Sequence, residues 1–221
     1  MPHKIHSSVD AALADISDGS TIMIGGFGLA GQPQELIDGL IRRGAKDLTI
    51  VNNNAGNGEV GLALLIKSGF VKKIICSFPR QVDSHIFDAA YRAGEIELEV
   101  VPQGNLAERI RAAGAGIGGF FTPTGYGTLL AEGKETRVID GKNYVLESPI
   151  HADYALIKAH KADPLGNLVY RKTARNFGPV MATAATTTIA QVSRVVEVGD
   201  LDPEEVITPG IFVNRIVEVA S

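Results

Sequence analysis

What most constrains this chain is a rhythm. Apolar runs suited to buried strands begin near Thr21, Leu48, Lys73 and Ile96, and segments of helical periodicity fill the gaps at 33–43, 59–67, 83–93 and 106–113. Gly44, Gly69, Gly94 and Gly114 stand where each helix should stop. Repeated strand–helix units of this length return every strand in the same direction. They predict a parallel sheet with helices on both faces. The spacing favours an open, mostly parallel, Rossmann-like sheet over a closed barrel, which needs more chain. A first helix is expected at 8–16, from Val9, Leu13 and Ile16.

The first unit is the most distinctive. Thr21–Ile24 reads as a buried strand, and Gly25, Gly26, Gly28 and Gly31 follow it closely. Gln32 is placed to cap the next helix and Pro33 suits its first turn. Such a loop lets backbone N–H groups approach a phosphate or an acyl carbonyl, with a helix dipole behind them. Gly25, Gly26, Phe27, Gly28, Leu29, Ala30 and Gly31 are therefore the candidate binding loop. Phe27 and Leu29 either wall a channel or plug the core. Gly26, Gly28 and Gly31 also fit G-x-G-x-x-G, the dinucleotide fingerprint. That reading needs an acid at the end of the second strand to hold a ribose. The second strand instead runs into Asn52, Asn53 and Asn54, and Asp47 precedes it. A nicotinamide dinucleotide is excluded on that ground.

In open sheets, ligands bind beyond the carboxyl ends of the strands. The loops expected there are 25–32, 52–58, 77–82 and 103–105, rich in Gly, Asn and Gln with one arginine, Arg80. Asn53, Asn54 and Gln103 can donate and accept hydrogen bonds without bringing charge. Each could equally close a turn. An arginine such as Arg80 can hold a carboxylate bidentately or form a surface ion pair. A formal net charge of −4 argues against a nucleic-acid partner. No apolar run is long enough to span a membrane, and the first residues lack the apolar core of a secretory signal, so a cytoplasmic protein is expected.

After Gly114 the texture changes. A glycine-rich stretch leads into Phe120, Phe121 and the threonine-rich 122–128, a candidate lid, site wall or intersubunit contact. Strand-like runs at 137–139 and 143–146 flank the hairpin signal Asp140-Gly141, and Asp163-Pro164-Leu165-Gly166 marks another turn. Further strands are expected at 154–158, 168–170, 188–198 and 211–219, which makes the C-terminal part β-rich. No linker divides the chain, so residues 1–221 are read as one domain.

Several motifs in one order carry a family likeness. They are Ile22-Met23-Ile24-Gly25-Gly26-Phe27 with Gly31 and Pro33, Asn53-Asn54-Ala55-Gly56, Pro102-Gln103-Gly104, Leu106-Ala107-Glu108-Arg109-Ile110, Thr124-Gly125-Tyr126-Gly127-Thr128, Ala174-Arg175-Asn176-Phe177 and Thr208-Pro209-Gly210-Ile211. Over nearly its whole length the chain resembles the alpha subunits of the CoA-transferases that move CoA between succinate and 3-oxo acids. Around Arg80 it looks closer to the 3-oxoadipate enzymes than to the acetoacetate enzymes. The resemblance implies succinyl-CoA as a substrate, no tightly bound cofactor and, as partner, a beta subunit in an α2β2 assembly. It implies Asn53 and Gln103 at the acyl group, the glycine loop at the CoA and acyl site, and Arg80 and Asn54 at the acceptor acid. The family's nucleophile is a glutamate in a Ser-Glu-Asn-Gly motif on the beta subunit, which becomes acylated and then carries CoA as a thioester. That motif is absent here. Asn57-Gly58-Glu59 has similar letters in another order, at an expected helix start where Glu59 favours the dipole. An isomerase or hydrolase, or a non-catalytic binding domain on a related sheet, are the readings from other classes.

The remaining candidates have plainer readings. Cys76, the only cysteine, ends an apolar run and reads as a core residue. His3, His6, His85, His151 and His160 show no metal-ligand spacing, so no metal is expected. Arg171, Lys172 and Arg175 form a basic cluster suited to CoA phosphates, a solvated face or a contact between subunits.

Overall fold

The computed structural model describes residues 4–219, so His3 lies outside the described residues. The first half alternates as the rhythm requires: α1 (Val9–Ala12), β1 (Thr21–Ile24), α2 (Gln34–Arg43), β2 (Leu48–Val51), α3 (Leu62–Lys67), β3 (Val71–Cys76), α4 (His85–Arg92), β4 (Glu97–Val100) and α5 (Gln103–Gly114). Then come β5 (Phe120–Thr122), β6 (Thr136–Ile139), β7 (Lys142–Glu147), β8 (Ala152–Ala162), β9 (Leu168–Val169), α6 (Gly178–Ala184), β10 (Ala185–Val195) and β11 (Arg215–Glu218).

The main sheet has the order β11-β10-β8-β1-β2-β3-β4, with β9 paired antiparallel to β8. Every pairing along that path is parallel, and Ile22 of β1 is in register with Ile50 of β2 and Tyr154 of β8. Both faces are buried, which explains why the strands read as continuous apolar runs. Ile22, Ile24, Ile50, Ile74 and Cys76 face the core under α1 to α4. Met23, Ile75, Ala155 and Ile157 face the core shared with α5 and α6. The β-rich C-terminal part therefore extends the same sheet. β5, β7 and β6 make a separate three-stranded antiparallel sheet, closed at Asp140 and Gly141, both at positive φ as a tight hairpin requires.

Several boundaries differ from expectation for local reasons. The first helix stops at Ala12 rather than reaching Ile16. The third begins at Leu62, so Glu59 lies in the preceding loop, paired with Lys67 and His85, and does not cap a helix. Residues 103–105, expected as loop, are the first turn of α5. The region 171–184, left without secondary structure by its composition, holds a 3-10 turn at Lys172–Arg175 and α6.

Candidate active site

The sheet order reverses at β1: the chain runs outward to β2, β3 and β4 on one side, and to β8, β10 and β11 on the other. The crevice beyond the carboxyl ends of β1 and β8 is thus the switch point at which open sheets bind ligands. The glycine loop leaves β1 into this crevice.

Its backbone amides are largely occupied. Gly25 N–H donates to Leu156 O, Phe27 and Ala30 exchange a pair of hydrogen bonds, and Gln32 N–H donates to Leu29 O. Gly26 N–H donates to Asn176 Oδ1 at 3.1 Å. The N-terminus of α2 is filled by Gln191 Oε1 of β10, which accepts from Glu35 N–H and Leu36 N–H at 3.1 and 3.4 Å. Gln32, expected as the cap, makes no such bond. The phosphate cradle expected of this loop and helix is corrected accordingly: its donors are satisfied within the fold. The loop instead clamps another segment. Asn176 Nδ2 donates to Ala30 O, and a Cβ on Gly31 would overlap the Ala174 carbonyl, so only glycine admits that close approach. Phe27 and Leu29 are half-exposed, which removes the core-plug reading of both.

The amides of the next loops divide by role. Asn52 Nδ2 donates to Ile24 O at 2.6 Å, its Oδ1 accepts from Asn54 N–H, and Asn54 Oδ1 accepts from Gly56 N–H. Asn52 and Asn54 are fully buried and build the turn. Asn54 does not line the cavity at Asn53, which corrects its expected acceptor role. Asn53 differs. Its Oδ1 accepts from Gln103 Nε2 and from Ser77 Oγ, each at 2.8 Å. Two donors on the oxygen fix the amide plane, and Nδ2 has no partner among the described residues. Structure thus brings Asn53 and Gln103 together from elements fifty residues apart.

Gln103 is the first residue of α5, whose cap, Pro102, offers no side-chain acceptor. Leu106 is the first residue of the helix with a bonded N–H, to Pro102 O at 2.8 Å. Open space surrounds Gly104. The positive end of α5 therefore opens beside the amide pair, an arrangement that favours developing negative charge. Sequence reasoning missed it by reading 103–105 as loop, although Pro102 was the signal for a helix start. Two cavities of about 350 and 380 Å³ meet here, both walled by Phe27 and Gln103. None of their lining residues carries a carboxylate, imidazole, ammonium or thiol.

Arg80 is not brought to these cavities. Its Nε donates to Asp88 Oδ1 of α4 at 2.7 Å, in an exposed ion pair that raises the Arg80 pKa. The acceptor-carboxylate role expected of it is corrected on that geometry. Cys76 is fully buried, and burial pushes its thiol up to about 12, so no thiolate is available for attack. Among the described residues no group of His, Cys, Asp and Glu could hold a metal, and no helix is long and apolar enough to cross a membrane.

Residues 6–219 match the family described as Coenzyme A transferase. The chain belongs to the coenzyme A transferase family. Among family members it is 70% identical to the alpha-type chain of 3-oxoadipate CoA-transferase of Pseudomonas putida, over 100% of this chain and 95% of that one. It is 68% identical to the protein of the same description from Acinetobacter baylyi, over 100% and 97%. The corresponding chain of succinyl-CoA:3-ketoacid coenzyme A transferase of Helicobacter pylori is 50% identical over 97% and 91%. Among solved structures, an acyl-CoA transferase of Escherichia coli O157:H7 in thioester complex with CoA superposes with TM-score 0.84 at 23% identity. The match covers 98% of this chain but 47% of that one, so the chain spans about half its length. Glutaconate CoA-transferase of Acidaminococcus fermentans superposes with TM-score 0.83 at 21% identity, over 98% and 76%. At these identities the structures speak for the fold alone.

Proposed function

We propose that this chain is the alpha subunit of a 3-oxoadipate CoA-transferase, cytoplasmic, working with a beta subunit in an α2β2 assembly and using succinyl-CoA as a substrate rather than a resident cofactor. The full-length likeness to two alpha-type chains of that description carries the reading. The site's chemistry supports it, because the cavities at Gln103 hold orienting amides and a helix N-terminus but no nucleophile. A glutamate of the partner chain supplies that group. Its carboxylate attacks the thioester carbonyl carbon, and the C–S bond breaks to give an acyl anhydride and CoA thiolate. The thiolate then attacks the glutamyl carbonyl and expels succinate, leaving a glutamyl-CoA thioester. The acceptor acid reverses the sequence. In each tetrahedral stage the carbonyl oxygen becomes negative. The free Asn53 Nδ2, the second Gln103 Nε2 proton and the N-terminus of α5 stabilise that charge.

The test is reconstitution. The purified chain should transfer no CoA alone and should gain activity with a beta subunit, with 3-oxoadipate preferred over acetoacetate. Turnover by the chain with no partner detectable by mass spectrometry would overturn the two-subunit reading, and preference for acetoacetate would overturn the acceptor.

A further inference from the structure

Beside the amide cavities lies a larger cleft of about 1020 Å³, walled by Phe27, Tyr170, Lys161, Lys172, Arg175 and Ile207. A second cavity of about 430 Å³ shares Ala30, His160, Lys172 and Thr173 with it and adds Lys158 and Arg171. Five cations, Lys158, Lys161, Arg171, Lys172 and Arg175, thus converge on the β1–β8 switch point of a chain whose net charge is −4. None of the five side chains forms an ion pair or hydrogen bond among the described residues. By contrast Arg42, Lys73, Arg80, Arg109 and Arg215 all have carboxylate partners. One acid, Glu205, lines the larger cleft. Gathering like charges without internal partners raises the local potential and opposes the compact state, and a bound polyanion offsets both.

The segment carrying these cations is held in place. Lys172 sits at φ 53, a conformation that non-glycine residues adopt only when their surroundings impose it. The Asn176 clamp and the close approach at Gly31 impose it here, tying 171–176 to the glycine loop. Phe27, at the tip of that loop, walls both the amide cavities and the cleft. A ligand lying across Phe27 would place one end at Gln103 and the other among the cations, with Tyr170 and Ile207 as apolar surface beside them.

We infer that this cleft binds the phosphates of the acyl-CoA, with Lys172 and Arg175 as the principal contacts and the thioester reaching past Phe27 to the amide pair. The inference rests on the CoA-transferase reading above. The glycine loop then serves the CoA site indirectly, by holding the cationic segment.

The experiment uses the reconstituted enzyme and two donors, succinyl-CoA and succinyl-pantetheine, which keeps the thioester but lacks the nucleotide. In the Lys172→Ala/Arg175→Ala double variant, kcat/KM for succinyl-CoA should fall about 10- to 100-fold, as for lost charge-assisted bonds. The preference for succinyl-CoA over succinyl-pantetheine should shrink by the same factor. Adenosine 3′,5′-bisphosphate should compete with succinyl-CoA and lose potency in the variant, and Arg175→Lys should retain part of it. An unchanged donor preference overturns the inference. So does an equal loss for both donors with weakened assembly of the complex by size exclusion, which makes the cleft a protein contact. Should the wild type transfer CoA from neither donor, the transferase reading fails. Calorimetric binding of the bisphosphate, lost in the double variant, then decides the cleft by itself.

Discussion

Gln103 and Asn53 bring neutral donors to the place where a negative charge would develop, and neutrality matters there. A cationic donor would pair with the attacking carboxylate in the ground state, whereas an amide gains most in the transition state. Gln103→Ala should lower kcat roughly 100- to 1000-fold with a smaller change in KM. Gln103→Glu should be at least as damaging, because it sets an acceptor against Asn53 Oδ1, which already receives Ser77 Oγ. Steady-state kinetics on the reconstituted enzyme checks both. A kcat within about threefold of wild type for Gln103→Ala would reduce the residue to a helix start. Arg80 is expected to behave oppositely. With its guanidinium exposed and committed to Asp88, Arg80→Ala should leave the ratio of 3-oxoadipate to acetoacetate turnover within about twofold. A selective loss of 3-oxoadipate turnover would restore a substrate role to Arg80.

The elements that carry the site are tied down by buried polar groups. The first turn of α5 is anchored from β7. The nearly buried Glu147 carboxylate accepts from Asn105 Nδ2 at 3.2 Å and Lys134 Nζ at 2.8 Å, with Arg109 Nε at 3.7 Å. Arg109 also bridges to Glu99, which Lys73 pairs from β3. Truncating a buried partner leaves the opposite charges uncompensated, which typically costs ~3–5 kcal/mol. Because Lys134 is about one-third exposed and can turn to water, Glu147→Ala should fall at the lower end of that range. Glu147→Gln should cost less, since an amide still accepts from Asn105. Urea unfolding measures both, and equal stability for all three proteins would show that the network holds nothing. Asn105 lies two residues from Gln103, so Glu147→Ala should also lower kcat in the reconstituted enzyme.

For the molecule as a whole, one ion pair closes the chain on itself. Arg215 of β11 holds both oxygens of Asp15 at 2.6 Å and donates to Ala12 O of α1. The Arg215 hydrogen bonds keep the Asp15 carboxyl below its ordinary 3.8. Burial pushes the Glu99 carboxyl up, but Lys73 and Arg109 outweigh it and hold that group below 4.5. A depressed folded-state pKa contributes stability that is present above the unfolded value and disappears as pH falls through the folded one. Asp15→Asn should therefore unfold at lower urea than wild type at neutral pH. The gap should close as pH drops below about 4, and a gap that persists in acid would assign the loss to packing.

Much of this molecule follows from local pattern. Strands β1 to β4, their intervening helices and the hairpin at Asp140-Gly141 are legible because apolar periodicity and turn chemistry act over a few neighbouring residues. The candidate amides Asn53 and Gln103 are legible as residues at strand ends. Their union is not, because a hydrogen bond between residues fifty apart depends on β2 and α5 meeting across the sheet. For the same reason, sequence placed Arg80 at the active edge, whereas packing gave it to Asp88 of α4. The glycine loop shows the division most plainly. Its composition determines that backbone will be approached closely. Only the tertiary fold decides by what: β10 brings Gln191 to fill the helix end, and Asn176 arrives to take the Gly26 amide. Backbone donors bind whichever acceptor the fold brings nearest, and the order of strands, not the motif, selects it.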